Sequence, residues 1–195
     1  MRRVIDADGF EAKFAADPDP WNYAASPFEA WKRDVLLKAC GDRHFGRGLE
    51  LACANGETTR RLATICRCLL AVDASATALE AAQHRNAGNA RVNFRHALLP
   101  RDMPKGPFDL IVASEILYYL KPRDLAALLP KLHAALAPGG RIVFLHHVLD
   151  FDDAAIRPAL AVATADRWFA AVAPRRVALQ TARFRVTAYE KPRQG

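Results

Sequence analysis

The sequence predicts a doubly wound α/β protein, with a Rossmann-like, mostly parallel seven-stranded sheet, helices on both faces and one antiparallel strand near the C-terminus. Three observations point there. Phe108 to Ala113 is apolar apart from Asp109 and is bounded by Pro107 and Ser114-Glu115, as a strand covered on both faces should be. Strand-like and helix-like segments alternate from residue 49 onward. Near the end, Val177–Gln180 and Arg185–Glu190 read as two closing strands, the second alternating in polarity.

Each element has a local reason. Residues 1–20 read as irregular and end in Asp17-Pro18-Asp19-Pro20, where two X-Pro pairs enforce extended backbone. Ser26 can cap a helix that Pro27 opens, with Phe28, Trp31, Val35 and Leu36 on one face. Leu49–Cys53 is a strand and Glu57–Ile65 a helix, followed by a strand over Cys68–Val72 that ends at Asp73. Ser75 caps a helix from Ala76 to about Asn86, and Val92–Phe94 is a short strand. Pro122 opens a helix that ends before Pro138-Gly139-Gly140, with Pro130 inside it removing one hydrogen bond. Arg141–Leu145 is another buried strand, and a long helix is expected over 153–173.

Bulk properties narrow the class. A chain of 195 residues, 51% hydrophobic and 25% charged, suits one globular domain, with residues 1–40 as a helical lid segment and 46–195 as the core. No apolar run approaches the ~18 residues of a membrane span, and no apolar segment follows Met1-Arg2-Arg3, so a cytoplasmic protein without a membrane partner is expected. The four cysteines lack metal or redox spacing and read as reduced thiols, and no metal site is expected. The net charge of +7 is spread over scattered arginines, without the clustered stripe and stacking aromatics of a nucleic-acid surface.

The first strand–helix junction, Glu50-Leu51-Ala52-Cys53-Ala54-Asn55-Gly56, is small enough for a nucleotide to approach the backbone. Asp73, with Ala74 beside it, ends the second strand, where a carboxylate can accept both hydrogen bonds of a ribose diol. The loop has a single glycine, and neither Gly-x-Gly-x-x-Gly nor a phosphate-binding Gly-Lys-Ser/Thr occurs there. Glu50 is unfavourable beside a phosphate and favourable beside a cation. An adenosine joined to a positive charge meets these conditions, and S-adenosyl-L-methionine is such a ligand.

At these residues the chain resembles the class I S-adenosylmethionine-dependent methyltransferases. Their first motif, Glu/Asp-x-Gly-x-Gly-x-Gly, matches Glu50 to Gly56 with alanine at 52 and 54, which keeps the loop small but disfavours positive φ. Asp73 matches the ribose-binding acid, Phe108-Asp109-Leu110-Ile111-Val112 the fourth-strand motif, and Leu136 to Gly140 the turn before the fifth strand. Asp17 to Trp21 with Tyr23, and Ser114 to Leu120, are similar to the nodulation protein S group. That resemblance implies methylation of the amino nitrogen of a small acceptor, a deacetylated chito-oligosaccharide in that group, with S-adenosyl-L-homocysteine as the product.

Position at the strand ends, side-chain chemistry and the resemblance together give these candidate site residues. Trp21 and Tyr23 either close over the cofactor as a lid or pack on the sheet edge, Arg33 either pairs with the cofactor carboxylate or is a surface residue, and Glu50, Ala52, Gly56, Asp73, Ala74 and Ser114 are expected around the cofactor. The expected acid after the third strand is missing from Phe94 to Pro100, which leaves adenine to backbone groups at Ala97 and Leu98. Glu115 either orients the amine or accepts its proton, or else fixes the loop after the strand; Tyr118 is favoured over Tyr119 for the acceptor pocket, and His146, of the pair His146-His147, is the candidate proton acceptor. Other small-molecule N or O acceptors stay open, as does binding of the cofactor without catalysis. An RNA acceptor ranks last, since no Asn-Pro-Pro-aromatic motif follows the fourth strand.

Overall fold

A computed structural model describes residues 4–193. In chain order the elements are α1 (Ala7–Ala16), α2 (Pro27–Cys40), β1 (Phe45–Leu51), α3 (Glu57–Leu62), β2 (Cys66–Asp73), α4 (Ala76–Arg85), β3 (Val92–His96) and β4 (Phe108–Ser114). A short 3-10 turn (Leu117–Tyr119), α5 (Pro122–Ala135), β5 (Leu136–His147), α6 (Pro158–Val172), β6 (Arg175–Gln180) and β7 (Phe184–Glu190) complete the order. The seven strands form one sheet in the order β3-β2-β1-β4-β5-β7-β6. All pairs are parallel except those of β7, which runs antiparallel to both β5 and β6.

Side-chain alternation along β4 explains its apolar run. Ile111 and Ala113 face a core built with α5 and α6, including Leu128, Leu132, Ala165 and Phe169. Leu110 and Val112 face the opposite core with Leu36, Ala39 and Cys40 of α2 and Leu62 of α3. Both faces are therefore dry, and no polar alternation is required of the strand.

Several elements depart from the sequence-based expectation. Residues 7–16 form a helix, not irregular chain, because the Asp6 side chain accepts from Gly9 N and caps it. The two X-Pro pairs end that helix without preventing it. β5 starts at Leu136 and runs directly out of α5, through the glycine turn expected to precede it. Its register against β4 shifts between Phe108 and Leu110, and a Cβ on Gly140 would lie 2.8 Å from Phe108 O and 2.7 Å from Ala137 O. Glycine is thus required at that irregularity. Pro130 lies inside α5 on its exposed side, where water can satisfy the freed carbonyl. α6 begins at Pro158, later than expected, since proline suits a first helical position.

The strand order reverses at β1, which is flanked by β2 and β4. Ligands of open α/β sheets bind outside the carboxyl ends of the strands at such a switch point.

Candidate active site

A cavity opens there. Its wall includes Glu50 and Ala52 to Asn55 at the end of β1 and just beyond it, Asp73 and Ala74 at the end of β2, Ala97 and Leu98 after β3, and Ser114 and Glu115 at the end of β4. Phe10, Phe14, Trp21 and Tyr23 close one side, and Glu29, Lys32 and Arg33 of α2 another.

The loop after β1 adopts the conformation its alanines disfavour. Ala52 and Ala54 have φ of 51° and 49°, left-handed values that cost a non-glycine residue about 1–2 kcal/mol each. Surrounding hydrogen bonds hold them there. Cys53 N donates to Val72 O at 3.0 Å, and Ala54 N donates to Asp73 Oδ2 at 2.8 Å. Asp73 Oδ1 accepts from Ser75 N at 2.9 Å, so this carboxylate fastens the loop as well as facing the cavity. Burial raises its pKa, with the backbone donors working against that. Gly56 does not line the cavity, contrary to its expected role. Its φ is 80°, and a Cβ there would stand 2.9 Å from Ala82 Cα, so it serves close packing against α4.

Glu50 is buried, and its Oε2 accepts from Thr59 Oγ1 at 2.6 Å. Burial lifts its pKa from 4.5 to about 8, so the carboxyl holds its proton at neutral pH until a cation approaches. Asn55 is 1% exposed; its Nδ2 donates to Pro18 O at 3.3 Å, while its Oδ1 is a buried acceptor with no protein partner. At the end of β3, Leu98 N donates to Asp102 Oδ2 at 3.0 Å. An acid is therefore present near the expected position, but two residues beyond the stretch where it was sought.

The lid is more extensive than Trp21 and Tyr23. Trp21 packs edge-on against Phe14, with ring centroids 5.5 Å apart, and stacks on Tyr23 at 5.8 Å. Glu11 ties α1 to α4 by accepting from Ser75 Oγ at 2.6 Å and from Thr77 Oγ1. The spacing of Phe10 and Phe14, one helical turn apart, was the available signal for this lid face. Arg33 faces the cavity while its Nη1 donates to Tyr23 O at 2.7 Å.

On the β4 side, Glu115 has a φ of 53° and lines the cavity. Its Oε2 accepts from Tyr118 Oη at 2.5 Å and from His147 N at 2.8 Å. Its Oε1 accepts from Lys32 Nζ at 2.5 Å, and that ammonium also donates to Glu29 Oε1 at 3.0 Å. Burial alone would raise the Glu115 pKa, but the charge of Lys32, together with the hydrogen bonds from Lys32 and Tyr118, holds the group below its usual range. A carboxylate so stabilised is a poor proton acceptor, which corrects that part of the expectation.

Two further expectations change. Tyr118 is 3% exposed and lies behind the wall, while Tyr119 lines the cavity, because the 3-10 turn points the neighbours in different directions. His146 is fully buried, and its Nε2 accepts from Leu117 N at 3.2 Å. Burial pushes its pKa down to about 4, so it is neutral, committed to the turn and outside the cavity wall. The pairing of Lys32 with Glu115 is not legible in the sequence because the two are 83 residues apart.

Among the described residues, no helix is long and apolar enough to cross a membrane. The solved N-methyltransferase NodS from Bradyrhizobium japonicum, in complex with S-adenosyl-L-homocysteine, superposes with a TM-score of 0.82 over 95% of this chain and 98% of its own, at 24% identity. A putative methyltransferase from Pseudomonas syringae is 30% identical, with a TM-score of 0.71 over 84% of this chain and 99% of its own. Nodulation protein S of Sinorhizobium fredii is 32% identical over 133 residues, which cover 66% of this chain and 61% of that protein. Its counterpart in Rhizobium tropici is 32% identical over 153 residues, covering 73% and 64%. The chain thus spans somewhat less than two thirds of these relatives. The family model described as nodulation protein S (NodS) matches residues 7–148, which takes in the lid, the loop after β1, Asp73 and Glu115, and the chain belongs to that family.

Proposed function

We propose that the protein is an S-adenosyl-L-methionine-dependent methyltransferase that acts on the amine of a small acceptor, a de-N-acetylated chito-oligosaccharide being the favoured class. One observation carries this reading. A single cavity has adenosine-compatible groups on one wall (Glu50, Asp73, Ala97 and Leu98) and a fixed, charged wall of Lys32, Glu115 and Tyr119 opposite. The family membership supports it.

The residues fit the cofactor. Asp73 offers acceptor capacity to a ribose diol, the orphaned Asn55 Oδ1 and the buried Glu50 suit cationic or N–H donors, and Arg33 suits a carboxylate. When bound, the sulfonium supplies an activated methyl group with a good leaving group. The protein's own contribution is then positional. Holding reactants in line at about 3–3.5 Å can account for ~7–11 kcal/mol of a barrier. The left-handed loop brings its backbone to the cofactor side, the aromatic lid excludes water, and Glu115 supplies a fixed acceptor for an amine N–H.

Calorimetry with S-adenosyl-L-methionine tests the first half, with micromolar binding expected. A labelled-methyl screen over amino sugars, polyamines and RNA tests the second. Transfer to amino sugars alone is the expected result. Transfer confined to RNA, or to none of the three, overturns the proposal.

A further inference from the structure

The ammonium of Lys32 stands in the cavity as a bound amine would. It is 6% exposed, held between the carboxylates of Glu29 and Glu115, with the Phe28 ring centroid 5.6 Å away. Lys32 is the cation that offsets both carboxylates, whose side chains are only 17% and 15% exposed. The backbone of Glu115 is held in a left-handed conformation that residues with a side chain rarely adopt, and such strain gathers at functional positions.

We propose that Glu29 and Glu115 form a primary-ammonium subsite, and that Lys32 fills it so that the acceptor is admitted as the neutral amine. This rests on the amine-acceptor reading above. Lys32 takes up one oxygen of each carboxylate and leaves the cluster with one net negative charge rather than two, so an acceptor ammonium is held less tightly there and R–NH3+ can leave its proton in solvent and bind as R–NH2. The nitrogen lone pair then forms the C–N bond as the methyl–sulfur bond breaks, its electron pair staying on sulfur. The product carries the positive charge on nitrogen, and with both carboxylates engaged by Lys32 it is held less tightly than it would be without that ammonium. Without Lys32, two carboxylates would hold the ammonium form, whose lone pair is occupied.

Other titratable groups face this cluster: Tyr23 from the lid, Tyr118 and Tyr119 from the 3-10 turn, His146 and His147 from β5, Arg183 near His147, and Asp73 beyond Tyr23. Burial holds both histidines below their ordinary range and the tyrosines above theirs, so neither set supplies a charge change near neutral pH that imitates the loss of Lys32, and Glu50, which titrates near 8 in the same cavity, is common to the wild type and the variants.

The test compares wild type with Lys32→Met and Lys32→Gln, each first shown to be folded by binding S-adenosyl-L-homocysteine. With a chitosan dimer as probe, calorimetry in two buffers of different ionisation enthalpy should show about one proton released per dimer amine bound at pH 6 to wild type, and none to either variant. In turnover, KM should fall while kcat at neutral pH drops about tenfold, with the rising limb of kcat moving up by about one pH unit. Lys32→Arg should restore the wild-type profile. Independently of any acceptor, methylammonium should raise the melting temperature of Lys32→Met and tetramethylammonium should not. Failure of methylammonium to stabilise a folded Lys32→Met, or equal proton release by all proteins, overturns the subsite. Stabilisation by methylammonium with no dimer binding to any protein removes the amino-sugar acceptor and leaves the subsite standing.

Discussion

Replacing Glu50 with glutamine should stabilise the ligand-free protein at neutral pH, by an amount set by the burial of this carboxyl. In the folded protein the group titrates near 8, against 4.5 ordinarily. Below pH 4.5 it is protonated in both the folded and the unfolded chain, and its favourable contribution is fully present. From 4.5 towards 8 the unfolded chain releases the proton and the folded chain retains it, so stability falls by about 1.4 kcal/mol per pH unit. By pH 7 the loss reaches about 3 kcal/mol, and above 8 it levels off. Glutamine never ionises and can still accept from Thr59 Oγ1, so Glu50→Gln escapes the loss. Urea unfolding of both proteins between pH 4 and 9 should give stabilities that diverge through this window, with the variant the more stable. Parallel curves would refute the reasoning, since they would mean that the carboxyl ionises normally despite its burial. The gain should have a functional cost, because the variant cannot offer a negative charge to a cationic ligand. Its affinity for S-adenosyl-L-methionine should fall at least tenfold.

Asp73→Ala should abolish cofactor binding in calorimetry and also lower stability by about 1–3 kcal/mol, because Ala54 N and Ser75 N both lose their acceptor. Ala54→Gly should raise stability by about 0.5–1 kcal/mol in urea unfolding, with relief of the left-handed strain partly offset by a more flexible unfolded chain. Tyr118→Phe should lower stability by about 1–2 kcal/mol and leave the acceptor KM within a few fold, since Tyr118 supports Glu115 from behind the wall. Tyr119→Ala should instead raise that KM about tenfold or more in steady-state assays, because its ring lines the cavity.

Much of the fold was legible because its signals are local. Ser26-Pro27 and Ser75 cap helices as their sequence contexts indicate, and Phe108–Ala113 needs only its own composition to read as a doubly covered strand. The first helix was missed because its strongest local signal, the prolines at 18 and 20, lies just past its end. The cofactor side was legible for a related reason. Glu50, Ala52, Asp73, Ala97 and Leu98 each sit at the carboxyl end of a strand, so a correct strand assignment brings them to one edge.

The sequence by itself determined the sheet, its switch point and which strand ends face the cavity, since periodicity, caps and turn residues act over a few positions. Only the tertiary structure decided the chemistry of the opposite wall. A single 3-10 turn put Tyr119 rather than Tyr118 into the cavity, full burial left His146 neutral and enclosed, and Lys32 met Glu115 across 83 residues of chain. Charge state in a protein depends on burial and on neighbours brought together by folding, and neither is a property of adjacent residues.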